Sequence, residues 1–269
     1  MISSPKGVVL THSAIAAVMA DVEKVMREHL TDQECLLTFL PMSHIFGKWE
    51  SMTPFFLGWT CSFAESVDTL VANLGEVKPT LWFAVPRVFE KVYSRILAQV
   101  DQAPAARRKL FYWAIGVGKE VVALRLKGKS PGFALAAQHE LAKRLVFSKV
   151  SSRFGGRLKF CVSGSAPLAS EIQQFMHAVG VPVYEGYGLT ETCAPISVNL
   201  PNALKFGSVG RILPEVLVRI AEDGEVLIKA QGNFREYYKN PEATAEAIKD
   251  GWFYTGDIGE IDDEGYLKI

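Results

Sequence analysis

Between residues 35 and 185, short apolar runs alternate with stretches of helical periodicity, and this alternation narrows the fold more than any other feature of the chain. Cys35-Leu36-Leu37-Thr38-Phe39-Leu40 is an apolar run closed by Pro41 and reads as a buried strand. Thr60 to Ala64, Thr80 to Val85, Leu158 to Val162 and Val181 to Glu185 repeat the pattern. Upstream, Ile15, Val18, Val22, Val25 and Met26 fall at helical spacing within residues 13–30, with Ser13 placed to cap that helix. Helices are also expected over 45–57, 67–75 and 168–179. A long helical stretch from about Arg87 to Arg153 breaks near Pro104 and at Gly128–Gly132. Strands alternating with helices point to an α/β fold, a mostly parallel sheet flanked by helices.

The texture changes after residue 205. Val216-Leu217-Val218-Arg219-Ile220 and Glu225-Val226-Leu227-Ile228-Lys229 flank Asp223-Gly224, the pattern of antiparallel strands joined by a tight turn. Residues 1–204 are therefore read as the α/β portion and 205–269 as a small β-rich subdomain.

Half the residues are hydrophobic (49%), enough for a sizeable core. The formal net charge of zero gives no electrostatic case for nucleic acid or for a polybasic membrane anchor. Cys35, Cys61, Cys161 and Cys193 are widely spaced without a CxxC pair, so free thiols of a cytoplasmic protein are expected, not a metal site or disulfide frame. No stretch is apolar for long enough to span a bilayer, and no secretory signal core is present.

The segment Tyr184-Glu185-Gly186-Tyr187-Gly188-Leu189-Thr190-Glu191-Thr192 carries the chemistry. It follows a β-rich run. Glycine permits a tight turn or the close approach of a ligand. Tyr187 offers a flat face to a ring, the Thr190 hydroxyl suits a phosphate oxygen, and the hard Glu191 carboxylate suits Mg²⁺. A ring platform, a phosphate contact and a metal ligand in one short loop suit an ATP site. A plain glycine-containing turn with a buried tyrosine is the alternative reading of the loop alone.

This loop resembles the core motif of the adenylate-forming enzymes, the superfamily of acyl-CoA synthetases, luciferases and nonribosomal adenylation domains. Further segments match that family in order. Ser4-Pro5-Lys6-Gly7-Val8-Val9-Leu10-Thr11-His12 is similar to the second half of its phosphate loop. Leu40-Pro41-Met42-Ser43-His44-Ile45-Phe46-Gly47 resembles its acyl-pocket motif. Ser163-Gly164-Ser165-Ala166-Pro167-Leu168 resembles the loop between the adenine and acyl sites, and Tyr254-Thr255-Gly256-Asp257 the ribose-binding segment. Val85–Tyr93 and Tyr237–Thr244 resemble the long-chain fatty acyl-CoA synthetase branch.

The resemblance implies a ligase that joins a fatty acid to CoA through an acyl-AMP intermediate, with ATP and CoA as co-substrates and Mg²⁺ as cofactor. In that reading Lys6 faces the β- and γ-phosphates, Thr190 bonds phosphate and Glu191 holds the metal. Gly164, Ser165 and Ala166 lie against the adenine; Glu185, Gly186 and Gly188 border it, and Tyr187 packs on it. Asp257 accepts from the ribose hydroxyls and His44 lines the acyl entrance. Trp49, Phe55, Phe56 and Trp59 are core residues or tunnel wall. Arg107-Arg108-Lys109 reads as a solvated helix face, with a CoA-phosphate contact as the alternative. A cytoplasmic location follows, with peripheral membrane contact left open. No G-x-x-x-x-G-K-[ST] or G-x-S-x-G is present, so neither a P-loop NTPase nor a serine hydrolase is supported.

The resemblance also implies that the family's phosphate loop begins before Pro5 and that a lysine-bearing C-terminal domain follows Ile269. Residues 1–269 are therefore expected to be inactive alone, acting with those missing segments. A nucleotide- or acyl-binding fragment, or one half of a split protein, is the competing reading.

Overall fold

A computed structural model describes residues 5–269. Ser4, the first residue of the phosphate-loop resemblance, lies outside the described residues. The described chain opens with Val8–Val9 (β1) and His12–Met26 (α1). Three strand–helix units follow: Cys35–Thr38 (β2) with Ile45–Leu57 (α2), Thr60–Phe63 (β3) with Leu70–Val77 (α3), and Leu81–Ala84 (β4) with Pro86–Asp101 (α4). Ala105–Leu126 (α5) and Phe133–Ala142 (α6) come next, and a π turn, Lys143–Phe147, carries the chain into Ser148–Ser151 (α7). Phe160–Ser163 (β5), Ser170–Ala178 (α8), Val183–Leu189 (β6), Ala194–Val198 (β7) and Arg211–Ile212 (β8) complete the larger part. The remainder is Leu217–Ile220 (β9), Glu225–Lys229 (β10), Glu236–Tyr237 (β11), Pro241–Ala247 (α9), Ile248–Lys249 (β12), Trp252–Ile258 (β13), Glu260–Ile261 (β14) and Leu267–Lys268 (β15).

The main sheet runs β3-β2-β4-β5-β6-β7-β8. It is parallel from β3 to β6 and antiparallel beyond. Its central strands are buried on both faces, and the strand period of two sorts their side chains. Trp82 and Ala84 enter one core with Phe89, Phe111 and Phe175, while Leu81 and Phe83 enter the other with Trp49 and Phe160. On the first face α5 crosses α8 closely at Gly118, where a Cβ would stand 2.6 Å from the Ala178 carbonyl oxygen. A second, antiparallel sheet, β12-β13-β10-β9, covers a third core of Val226, Ile228, Phe234 and Phe253. Gly224, with φ at +88°, makes the expected turn between β9 and β10. The mostly parallel α/β architecture with added antiparallel sheets is as expected. No described helix is long and apolar enough to cross a membrane, and all four cysteines are free.

Three local expectations need correction. Helix α1 is capped by Thr11, whose hydroxyl accepts from the Ala14 amide, and it ends at Met26. Helix α3 starts at Leu70, three residues later than the periodicity indicated, because Ser66 and Thr69 bond each other's backbone in a turn of their own. The third correction concerns the site: the stretch after Glu185 is strand, not a turn. β6 runs on through Gly186, Tyr187 and Gly188 to Leu189, paired with β7.

Candidate functional site

The C-terminal ends of β4, β5 and β6 open onto an apolar cavity of about 220 Å³, the end at which α/β sheets bind ligands. Val22 and Met26 of α1 and His44, Phe46 and Trp49 around the start of α2 wall it on one side. Phe83, Phe160 and Val162 form its floor. Its rim is polar or bare backbone: Gly164, Ser165, Gly186, Tyr187, Gly188 and Thr190. The structure thus brings seven of the residues singled out from sequence, these six and His44, to one cavity. Of the four large aromatics that follow His44, Trp49 alone lines it. Phe55 and Phe56 face solvent, and Trp59 is core, its indole N–H donating to the Thr31 carbonyl at 2.9 Å.

The rim is held in unusual backbone. Ser165 has φ at +71°, and Cys193 and Ala194, just after Glu191, have φ at +57° and +84°. Non-glycine residues reach this region only where surroundings enforce it, and such strain gathers at functional sites. Thr192 braces the second of these places: its hydroxyl accepts from the Leu189 amide at 2.9 Å and donates to the Ala194 carbonyl at 2.9 Å. The glycines of β6 have ordinary φ and serve by leaving room. A Cβ on Gly188 would stand 2.2 Å from the Ala194 carbonyl oxygen.

The other singled-out residues lie beside the cavity, not on its wall. Glu185 is buried, and its Oε1 accepts from the Leu168 amide at 2.9 Å, tying the 163–168 loop to β6. Burial pushes its carboxyl above the usual range, against that hydrogen bond. Ala166 is exposed in the same loop. Asp257, on β13 after Gly256, is half-buried and accepts from the Tyr187 hydroxyl at 2.5 Å. Burial and the Asp257 carboxylate both push the Tyr187 hydroxyl well above its ordinary value. Tyr187 is therefore fixed at its tip as well as at its backbone.

Glu191 and Lys6 meet through a residue that site reasoning passed over. The Tyr237 hydroxyl donates to Glu191 Oε1 at 2.8 Å, and the Lys6 ammonium sits 4.7 Å from the centre of the Tyr237 ring. Pairing of β1 with β11, Val8 opposite Tyr237, sets that geometry, and the Phe234 amide bonds the Glu191 carbonyl. Among the described residues no cluster of three or more His, Cys, Asp or Glu forms a metal cage. Among the described residues, Glu191 offers one hard carboxylate whose second oxygen has no protein hydrogen bond. That suits Mg²⁺, which keeps waters and binds through one or two carboxylates plus substrate phosphates.

Comparison with known proteins identifies the family of the chain. The family described as AMP-binding enzyme matches residues 3–238. Long-chain-fatty-acid–CoA ligase FadD15 of Mycobacterium tuberculosis is 37% identical over 265 residues, covering 98% of this chain and 44% of that protein. Long chain acyl-CoA synthetase 3 of Arabidopsis thaliana is 32% identical over 288 residues, covering 98% and 42%. The chain thus spans less than half the length of these relatives. The N-terminal domain of FACL13 from Mycobacterium tuberculosis superposes with a TM-score of 0.70 at 26% identity, over 98% of this chain and 57% of that one. An O-succinylbenzoate CoA synthetase from Bacillus subtilis, solved with AMP, shares the fold at 20% identity and a TM-score of 0.68, over 98% and 46%. With the ordered motifs, the fold and the family match in agreement, the chain belongs to the AMP-binding enzyme family of adenylate-forming proteins.

Proposed function

We propose that this chain is the nucleotide- and acyl-binding part of a long-chain fatty acid–CoA ligase, with residues 1–204 and 205–269 as the two portions of one AMP-binding domain. The observation that carries the reading is an apolar cavity whose rim is the glycine-flanked polar segment 186–190. An acyl chain and a phosphate can meet there at one boundary. The names of the relatives support the same substrate class.

The reaction has two halves. A fatty carboxylate attacks the α-phosphorus of ATP, giving acyl-AMP and pyrophosphate. The CoA thiol then attacks the acyl carbonyl and AMP leaves. The first half joins two anions, so the protein's task is to aim positive charge and N–H donors at the oxygens. Lys6, held over Tyr237, neutralises the terminal phosphates, and Thr190 bonds a phosphate oxygen. Glu191 holds Mg²⁺, which when bound stabilises charge on the phosphate oxygens. Asp257, oriented by Tyr187, accepts from the ribose hydroxyls. Gly164, Ser165, Ala166, Gly186 and Gly188 admit the adenine against backbone, and buried Glu185 fixes the loop they share. His44 stands at the acyl side.

The test is ATP–pyrophosphate exchange by the protein carrying this chain. Each buried CH₂ contributes about 0.8 kcal/mol, so kcat/KM is expected to climb from acetate through octanoate to palmitate. A fall between octanoate and palmitate would refute the long-chain assignment.

A further inference from the structure

The formal charge of zero conceals a strong segregation. Residues 105–153 hold eleven Lys and Arg against two Glu, a formal +9, so the other residues together carry −9. This stretch is the helical run α5–α6–α7. All eleven cations are exposed except Lys119, which is half-buried. Among the described residues, Lys143 alone of the eleven has a carboxylate within ion-pair reach, Glu140 at 3.9 Å.

The same surface exposes large apolar side chains. Phe133 is 92% exposed and Leu126 41% exposed, and they flank the connecting loop that holds Lys127 and Lys129. Leu141 and Leu145, also exposed, follow Phe133 at helical spacing beside Arg144. A phosphate backbone alone would use the cations and leave these side chains in water. A bilayer boundary takes both, apolar tips among the upper acyl carbons and ammonium or guanidinium groups on lipid phosphates.

We propose that the α5–α6 hairpin docks this protein on an anionic lipid bilayer, with Leu126 and Phe133 entering the headgroup boundary and Lys127, Lys129 and Arg144 meeting lipid phosphates. The surface is separate from the cavity, and the proposal does not depend on the ligase reading.

The experiment is co-sedimentation of the purified protein with vesicles of phosphatidylcholine, alone or mixed with phosphatidylglycerol. Binding is expected on the anionic vesicles only, weakening as salt is raised. Each Lys or Arg near such a surface multiplies affinity about five-fold, so Lys127→Glu with Lys129→Glu is expected to lose at least tenfold. Phe133→Ser is expected to lose about tenfold with the salt dependence retained. All three positions are exposed, so thermal midpoints are expected to match the wild type. Binding that is absent, indifferent to lipid charge, or unchanged in both variants overturns the proposal. So does preferential binding of a duplex DNA probe that is unaffected by Phe133→Ser, which would make the run a nucleic-acid face.

Discussion

At the scale of single residues, the site depends on side chains that are missing as much as on those present. Gly188 lies against the backbone of β7, and a methyl group there would overlap the Ala194 carbonyl oxygen. Gly188→Ala is expected to lower stability by about 1–3 kcal/mol, the usual range for overpacking, and to displace Thr190 from the cavity rim. Gly186→Ala, whose nearest neighbour would be the Ser197 carbonyl oxygen at 3.2 Å, is the milder control. A Gly188→Ala protein that melts with the wild type would refute the close-approach account. Glu191 is the converse case, a charge that the fold hardly uses. The hydrogen bond it accepts from Tyr237 can also be accepted by a glutamine oxygen. Glu191→Gln should therefore fold normally yet reduce ATP–pyrophosphate exchange roughly 10²-fold, as removal of one oriented group at a charged transition state does. Near-normal exchange would assign Glu191 a structural role.

At the scale of elements, α2 is the piece that links fold to site. Its bounds were legible because Pro41 closes the preceding strand and Gly58, with φ at +73°, ends the helix in the left-handed region. His44 is its N-cap, accepting from the Phe46 amide at 3.2 Å, and it also lines the cavity. Substitution separates the two roles. His44→Ala removes the cap, a loss of about 1 kcal/mol, while asparagine caps well. If His44 serves substrate as well, His44→Asn is expected to restore the thermal midpoint of His44→Ala without restoring kcat/KM for palmitate. Recovery of both would leave His44 as a cap only. β6 shows where a single sequence misleads at this scale. Two glycines two apart look like a turn, and nothing local reveals that an antiparallel neighbour presses its carbonyl groups against them. The cap of α1 failed for a similar reason: Ser13 and Thr11 are equally able hydroxyls, and the backbone path chooses Thr11.

At the scale of the whole molecule, the parallel sheet was legible and the assembly of the site was only half so. The strand-end segments converge because the fold places them at one end of the sheet. The contacts of Lys6 and Glu191 with Tyr237, and of Tyr187 with Asp257, come from segments far apart in sequence, with no periodicity to announce them. Buried ionisable groups scattered through the molecule are likewise invisible until burial is known, and together they set how stability depends on pH. Burial pushes Glu50 up to about 8, although the Thr38 hydroxyl at 2.5 Å favours its anion. Folded protein keeps that proton where the unfolded chain loses it, so the contribution is complete below pH 4.5 and is lost as pH rises through about 8. His177 is the opposite case. Burial lowers it from 6.5 to about 4 despite its bond to the Val183 carbonyl, so its contribution is complete above pH 6.5 and lost as pH falls through about 4. Burial alone would raise Glu34, but Lys159, Thr80 and Thr31 hold it at about 2, and its contribution fades as pH falls from 4.5 through that value. The thermal midpoint is therefore expected to be level between about pH 5 and 6.5 and to fall on both sides. Glu50→Gln, which keeps an acceptor for Thr38, should flatten the alkaline decline between about pH 6.5 and 8, tilt the level stretch upward toward pH 6.5 because His177 is then uncompensated, and leave the decline below about pH 4.5 unchanged. Melting curves of the two proteins across that range decide the matter, since equal alkaline slopes would show that α2 yields and hydrates the carboxylate instead of forcing it to stay protonated.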